Sequence, residues 1–159
     1  MSNTLVNLMS FLAALGNGLM AGMFFAFSVF IMTALGRLPP DHGIAAMQSI
    51  NIVILNPIFL SVFMGTAAIC IVLAILSFMR WSEPGMVCVF AGSAFYLVGV
   101  MLVTMAFNVP LNNALAAVDA GSGEGAAVWA RYLGAWTGWN HVRSVSALAA
   151  LASFVLAGR

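Results

Sequence analysis

The sequence predicts an all-α integral membrane protein, built as an antiparallel up-down bundle of four helices. Of its 159 residues, 64% are hydrophobic and 6% are charged, whereas about a quarter of the residues in soluble proteins are charged. Four long apolar segments, about residues 5–35, 52–79, 86–109 and 136–156, each reach the roughly 20 residues that a helix needs to cross a bilayer. Runs of this length indicate helices, because a helix satisfies its own backbone in lipid. We expect one transmembrane domain over residues 1–159.

Charge and cysteine usage exclude several classes of protein. The five arginines and four acids nearly cancel, and no lysine is present. No basic surface is therefore available to attract nucleic acid. Cys70 and Cys88 lie in apolar segments without metal-type or redox-type spacing, so they read as small buried hydrophobes, and no metal site is predicted. The expected partners are the lipid bilayer and a small hydrophobic ligand, the expected location is the inner (plasma) membrane, and a homo-oligomer is left open.

The first segment is too long for the apolar part of a signal peptide, which spans roughly 7–15 residues, so we expect a retained membrane helix. Gly18 and Gly22 form a G-x-x-x-G pair, a spacing that lets two helices approach closely. We therefore predict a close helix crossing at these two glycines. Pro39 and Pro40 end the segment, and the octet 43–50 is predicted to form a short interfacial turn.

The other three segments are bounded by polar residues and proline. Asn56-Pro57 lies near the start of the second segment, and a tight polar turn over 80–85 joins the second to the third. A Gly-rich acidic loop over 119–125 precedes the fourth segment. Residues 128–134 could add a further helical turn before Trp136. The alternating directions of the four segments then bring the end of the first, the start of the second, the end of the third and the start of the fourth to one membrane face.

Polar side chains from all four segments collect at that face. Ordinary helix capping does not readily explain such one-sided accumulation, and polar groups inside a membrane segment indicate a functional site by default. The sequence therefore predicts an intramembrane polar pocket among Ser28, Thr33, Asn51, Asn56, Thr104, Asn108, Asn112, Asn140, His141 and Arg143.

Arg143 allows two interpretations. It lies roughly 9 Å inside the predicted fourth span, shallow enough to reach the headgroups as an interfacial anchor, with Trp136 and Trp139 as an aromatic belt. Against this, no segment supplies a carboxylate to pair with it, so amide groups, backbone carbonyls or a ligand are its expected partners. Asn140 shares its helix face, whereas His141 lies about 200° around the helix from Arg143. Asn140 with Arg143 is thus the firmer pair.

Four motifs carry a resemblance to a known family. They are GLMAGMFFAF over 18–27, MQSIN over 47–51 with Pro57 after it, FNVPLN over 107–112, and WTGWNHVR over 136–143. Through them the chain resembles the anthrone oxygenase-like family of small four-helix membrane proteins, long catalogued as a domain of unknown function. The resemblance covers nearly the whole sequence. The resemblance implies the oxidation of small aromatic substrates such as anthrones.

No nucleotide-binding glycine pattern and no nucleophile elbow are present, and two histidines without a membrane carboxylate do not build a usual iron site. If the chain is an oxygenase, it is predicted to need no cofactor, because an anthrone enolate can pass an electron directly to dioxygen. In that reading His141 would accept the proton, and Arg143 with Asn108 or Asn140 would hold the enolate oxygen. The predicted substrate contacts are Asn51, Asn56, Asn112, Trp136 and Trp139. Two alternatives stay open: a binding or transport module for a small hydrophobic or quinone-like molecule, and an accessory membrane subunit without catalysis.

Overall fold

The protein is a bundle of helices in the computed structural model, which describes residues 3–158; Met1, Ser2 and Arg159 lie outside the described residues. That range contains five helices and no strand: α1 (Thr4–Leu35), α2 (Pro40–Val53), α3 (Pro57–Met79), α4 (Met86–Ala116) and α5 (Gly123–Ala157). All except α2 are long and apolar enough to cross a membrane. The prediction of an all-α membrane bundle with four spans is confirmed.

The helices differ from their predicted bounds at the end where the polar residues collect. The helix α5 begins at Gly123 rather than near residue 136, because the Ser122 hydroxyl accepts a hydrogen bond from the Gly125 amide at 2.9 Å and caps it. The helix α4 continues past Asn108 to Ala116, with Pro110 in the first turn after a π-helical stretch. Instead of a short turn, residues 40–53 form a full helix that starts at a proline, where no intrahelical amide bond is lost.

Each spanning helix packs against two others, which closes the bundle. The helix α5 packs against α1 and α4, and α3 packs against the same two helices on the other side. Buried side chains such as Phe24, Leu73, Tyr96 and Phe154 fill the space between them. The short helix α2 packs against α5 and the end of α4, around a second apolar cluster that includes Trp129. It therefore covers one end of the bundle.

The predicted crossing at Gly18 and Gly22 is wrong. A side chain built at Gly22 would meet nothing within 4 Å, and one at Gly18 would make only ordinary contact with Leu151. The close approaches lie at other small residues. A Cβ at Gly16 would overlap the Thr66 side chain of α3, and Cβ atoms at Gly92 and Gly99 would meet Phe154 and Ser146 of α5. Several glycines lie in similar apolar sequence, so the sequence does not show which of them faces a neighbouring helix. The rotation of each helix about its axis decides this.

Two of the spanning helices contain π-helical stretches. They cover Phe27–Ile31 in α1, and Phe95–Leu102 and Thr104–Asn108 in α4. Such wider turns frequently occur at functional sites, because they change which side chains face inward. Here they carry Ser28, Thr104 and Asn108, all of which belong to the polar end of the bundle.

Candidate functional site

Arg143 is buried inside the bundle rather than extended to the headgroups, with 6% of its surface exposed. Its Nη2 donates to Asn140 Oδ1 at 2.7 Å, and its Nη1 donates to Thr104 Oγ1 at 3.3 Å. The guanidinium also lies over two aromatic rings, 4.5 Å from the centroid of Phe24 and 5.0 Å from that of Trp136. These contacts come from three helices and hold the charged group in place. The interfacial-anchor interpretation does not fit this geometry.

The guanidinium has no ionic partner within residues 3–158. The acidic side chains with a basic side chain close by in this range are Asp41, next to His42, and Glu83, next to Arg80, both away from the bundle interior. The Nε atom of Arg143 is buried without a hydrogen-bond partner. The ring faces and neutral oxygens around it stabilise a cation only in part. Because an uncompensated buried charge is costly, this site favours an anion or a carbonyl oxygen as a further partner.

Asn140 connects Arg143 to α1. Its Nδ2 donates to the backbone oxygen of Phe24 and to Ser28 Oγ, both at 2.7 Å. The Ser28 hydroxyl lies 3.2 Å from that of Ser144, which donates to the Asn140 carbonyl at 2.9 Å. All polar atoms of the Asn140 side chain are therefore used. This network fixes the amide orientation, so that its oxygen faces the guanidinium.

A cavity of about 600 Å³ lies beside Arg143. This volume falls within the roughly 300–1,000 Å³ that is usual for small-molecule sites. All five helices contribute to its wall, and most of the lining side chains are apolar or aromatic, among them Phe24, Phe27, Met47, Phe59, Phe63, Met64, Met101, Met105 and Trp136. The cavity is thus suited to a largely apolar molecule.

The polar atoms of the cavity wall come from two places. Arg143 and Thr104 supply one polar region, deep in the bundle. Gln48, Asn51, Asn112 and Asn113 supply the other, where α2 covers the bundle end. Tyr132 donates to Asn112 Oδ1 at 2.8 Å. Gln48 Nε2 donates to the backbone oxygen of Leu115 in the last turn of α4 at 2.9 Å, and to that of Val118 just after the helix at 3.1 Å. A ligand with one polar group at each end would find partners at both.

The nine residues that were predicted to act in catalysis or substrate contact fall into three groups. Four of them line the cavity, namely Asn51, Asn112, Trp136 and Arg143. Asn108 and Asn140 are buried next to it without lining it. The Nδ2 of Asn108 donates to the Trp136 backbone oxygen at 3.3 Å, and its Oδ1 is buried without a partner. These two amides therefore support the wall.

Three predicted site residues lie away from the cavity. His141 is exposed on the outer side of α5. Trp139 stacks on Phe107 with ring centroids 3.7 Å apart. Asn56 caps α3, where its side chain accepts a hydrogen bond from the Phe59 amide at 3.0 Å. The structure thus does not bring these three side chains together with Arg143.

Two further residues belong to the site. Thr104, which was predicted only as a member of the polar pocket and without a role, contacts Arg143 directly. Gln48, which was not predicted, lines the far end of the cavity. Thr104 is one helical turn before Asn108, and Gln48 is three residues before Asn51, so shared helix faces were the available signal. Within residues 3–158, no group of three or more His, Cys, Asp or Glu side chains is placed to hold a metal ion.

These features define a class, a helical membrane protein with a partly apolar cavity beside a buried, unpaired arginine. The model of the anthrone oxygenase family matches residues 59–153, more than half of the chain. The chain therefore belongs to the anthrone oxygenase family, as its sequence motifs indicated. The match includes all of α4 and most of α3 and α5, and with them Thr104, Asn140 and Arg143. Comparisons with curated proteins and with solved structures gave no significant match.

Proposed function

We propose that this protein oxidises a small, lipid-soluble aromatic ketone or phenol of the anthrone type with dioxygen, inside the cavity beside Arg143. The observation that carries the proposal is a buried guanidinium without an ionic partner among the described residues, at the wall of an otherwise mainly apolar cavity. The name of the family supports the reaction type. We further propose the inner (plasma) membrane as its location and leave self-association as an open expectation.

The proposed reaction takes one dioxygen per substrate. Loss of a proton from the acidic C–H opposite the ketone gives an enolate, whose oxygen gains negative charge next to Arg143. The electron-rich carbon then forms a C–O bond with dioxygen, by electron transfer followed by recombination, and the product takes up a proton as a hydroperoxide. Cleavage of its O–O bond, with loss of the second hydrogen on that carbon, yields the quinone and one water. Fixed donors aimed at the oxygen that gains charge commonly contribute about 10²–10³-fold to a rate.

The proton acceptor in this scheme is not a side chain of the cavity wall. The side chains that line the cavity include no imidazole and no carboxylate, and His141 faces away from it. We propose that water in the cavity carries the proton away, with Arg143 making the substrate more acidic. The same observation favours a second candidate, a module that binds such molecules without chemistry. Oxygen uptake separates the two candidates.

The test uses purified protein in lipid nanodiscs with a panel of anthrones and hydroquinones, without added metal or nicotinamide. Empty nanodiscs correct for spontaneous oxidation. We expect protein-dependent oxygen uptake, with quinone formed in a one-to-one ratio to oxygen. With an anthrone as substrate and ¹⁸O₂, one labelled oxygen atom should appear in the quinone, whereas a hydroquinone already carries both oxygens and should gain none. Binding without oxygen uptake would favour the binding module, and uptake without ring labelling would indicate an oxidase.

A further inference from the structure

We infer that the cavity is filled sideways from the bilayer, through an opening between α3 and α4, by a lipid-dissolved aromatic molecule whose polar oxygen enters first. The inference rests on the proposed function in one respect, because both take this cavity as the ligand site. It adds the route, and it names two residues that control entry, Met64 and Met105.

Two methionines mark the opening, because each of them is exposed and also lines the cavity. Met64 of α3 has 52% of its surface exposed and Met105 of α4 has 65%, and both line the cavity. A side chain with one side in the cavity and the other outside lies at its rim. Val109, on the next turn of α4, is 40% exposed and also lines the cavity. This part of the rim is entirely apolar.

The opening exists because α3 and α4 separate along their length. Near the turn that joins them they pack closely, and farther along the backbone oxygen of Phe63 accepts a hydrogen bond from the Tyr96 hydroxyl at 2.8 Å. Among residues 3–158, the close backbone packing of α3 on α4 is concentrated in the part of α4 before Val103. Beyond it, the cavity occupies the space between the two helices. Phe63 also lines the cavity.

The depth of the rim places it in the hydrocarbon. Met64 follows Pro57 by seven residues, which is roughly 10 Å along the axis of α3 from its first residue. Met105 is next in sequence to Thr104, the residue that accepts a hydrogen bond from Arg143. Both methionines are within segments apolar enough to span the membrane. A molecule that passes between them therefore comes from lipid rather than from water.

The chemistry of the route restricts the ligand. An apolar rim admits an uncharged, mainly aromatic molecule, and flexible methionine side chains adapt to such surfaces. The first strong polar group that it meets inside is the guanidinium of Arg143, near the level of the rim. The ligand should therefore be neutral in the bilayer and carry an oxygen that accepts hydrogen bonds or becomes negative after entry.

Thiol labelling in vesicles tests the route without requiring turnover. The reporter is Thr104→Cys in a protein with Cys70→Ala and Cys88→Ala, reconstituted in phosphatidylcholine and phosphatidylglycerol vesicles. The nearby guanidinium favours the reactive thiolate at this position. Two reagents of the same chemistry are compared, octyl methanethiosulfonate from the bilayer and sulfonatoethyl methanethiosulfonate from water. Labelling in SDS gives the total thiol.

We expect the octyl reagent to react at least about tenfold faster than the charged reagent. Met64→Trp together with Met105→Trp should narrow the opening and slow the octyl reagent by about tenfold. Met79→Trp is the matched control, because Met79 is 76% exposed on the same helix and does not line the cavity. It should leave the rate unchanged.

Equal labelling by the charged reagent, or no effect of the two tryptophans, would overturn the lateral route in favour of entry from the aqueous end. No labelling by either reagent would show that the cavity is not accessible at Thr104, and would overturn the inference. Oxygen uptake is measured separately on protein that keeps Thr104. If the protein gives the expected labelling but consumes no oxygen, the lateral route stands and the proposed reaction fails.

Discussion

Asn140 Oδ1 accepts a hydrogen bond from Arg143 Nη2 at 2.7 Å, while Nδ2 of the same amide donates to the backbone of α1. One side chain thus fixes the arginine and ties α5 to α1. The two residues are three apart on one helix, so the pairing needs no special backbone geometry. The amide stabilises the guanidinium without neutralising it, since it carries no charge. The arginine therefore keeps its full charge for a ligand.

Because Asn140 holds Arg143 without neutralising its charge, two substitutions of Asn140 should have different effects. Asn140→Asp keeps an oxygen next to Arg143 but pairs it with a negative charge, so we expect at least about tenfold weaker binding of a hydroxyanthraquinone. Asn140→Ala removes the support and leaves the charge free, so its binding should weaken less. Quenching of ligand fluorescence in nanodiscs measures both affinities. If the alanine variant were the weaker binder, positioning rather than charge would control affinity.

A second prediction concerns the helix crossing that the sequence did not locate. Gly16→Ala would push a methyl group into Thr66, and overpacking of this kind typically costs about 1–3 kcal/mol. Gly22→Ala is the matched control in the same helix, where a methyl group meets open space. We expect it to be neutral or slightly stabilising. Unfolding by SDS in mixed micelles measures both free energies.

The control also tests self-association. If Gly22→Ala lowered stability as much as Gly16→Ala, the outer face that carries Gly18 and Gly22 would have a partner, such as a second copy of the chain. Crosslinking yield across the two variants would identify that partner as the same protein.

The architecture and part of the site could be predicted because they depend on local properties. Span length and hydropathy indicate four membrane helices regardless of how the helices rotate. The i, i+3 spacing of Asn140 and Arg143 indicates a shared face, and the same geometry separates His141 from Arg143. Such features need only the geometry of one helix.

Other features depend on how the helices rotate against each other. Thr104 reaches Arg143 from a π-helical stretch of α4, where the wider turn changes the direction of each side chain. Asn108 and Thr104 are both polar residues in an apolar segment, one helical turn apart, yet only Thr104 lines the cavity. The position of Gln48 depends on how α2 packs against α4 and α5. No periodic pattern within one segment contains this information.

A third prediction addresses His141. Because its side chain is exposed on the outer side of α5, we expect His141→Ala to change kcat for oxygen uptake by no more than about twofold, against the 10²–10⁴-fold that a positioned base contributes. The pH profile of kcat should also stay the same. A loss in the larger range, with binding nearly unchanged, would establish the base role that the sequence suggested and would require the helix to rotate during turnover.

The last prediction concerns Arg143 itself. Arg143→Gln removes the charge that would stabilise the enolate, so we expect kcat/KM for oxygen uptake to fall by about 10²–10³-fold. Arg143→Lys should restore only part of this, since an ammonium on a flexible stem does not reproduce the fixed donors that reach both Asn140 and Thr104. Arg131→Gln is the control, because Arg131 is exposed on the same helix. Thermal unfolding in nanodiscs separates loss of function from loss of fold. An Arg143→Gln protein that stays folded and oxidises anthrones at the normal rate would exclude this arginine from the reaction and leave it a structural role between α4 and α5.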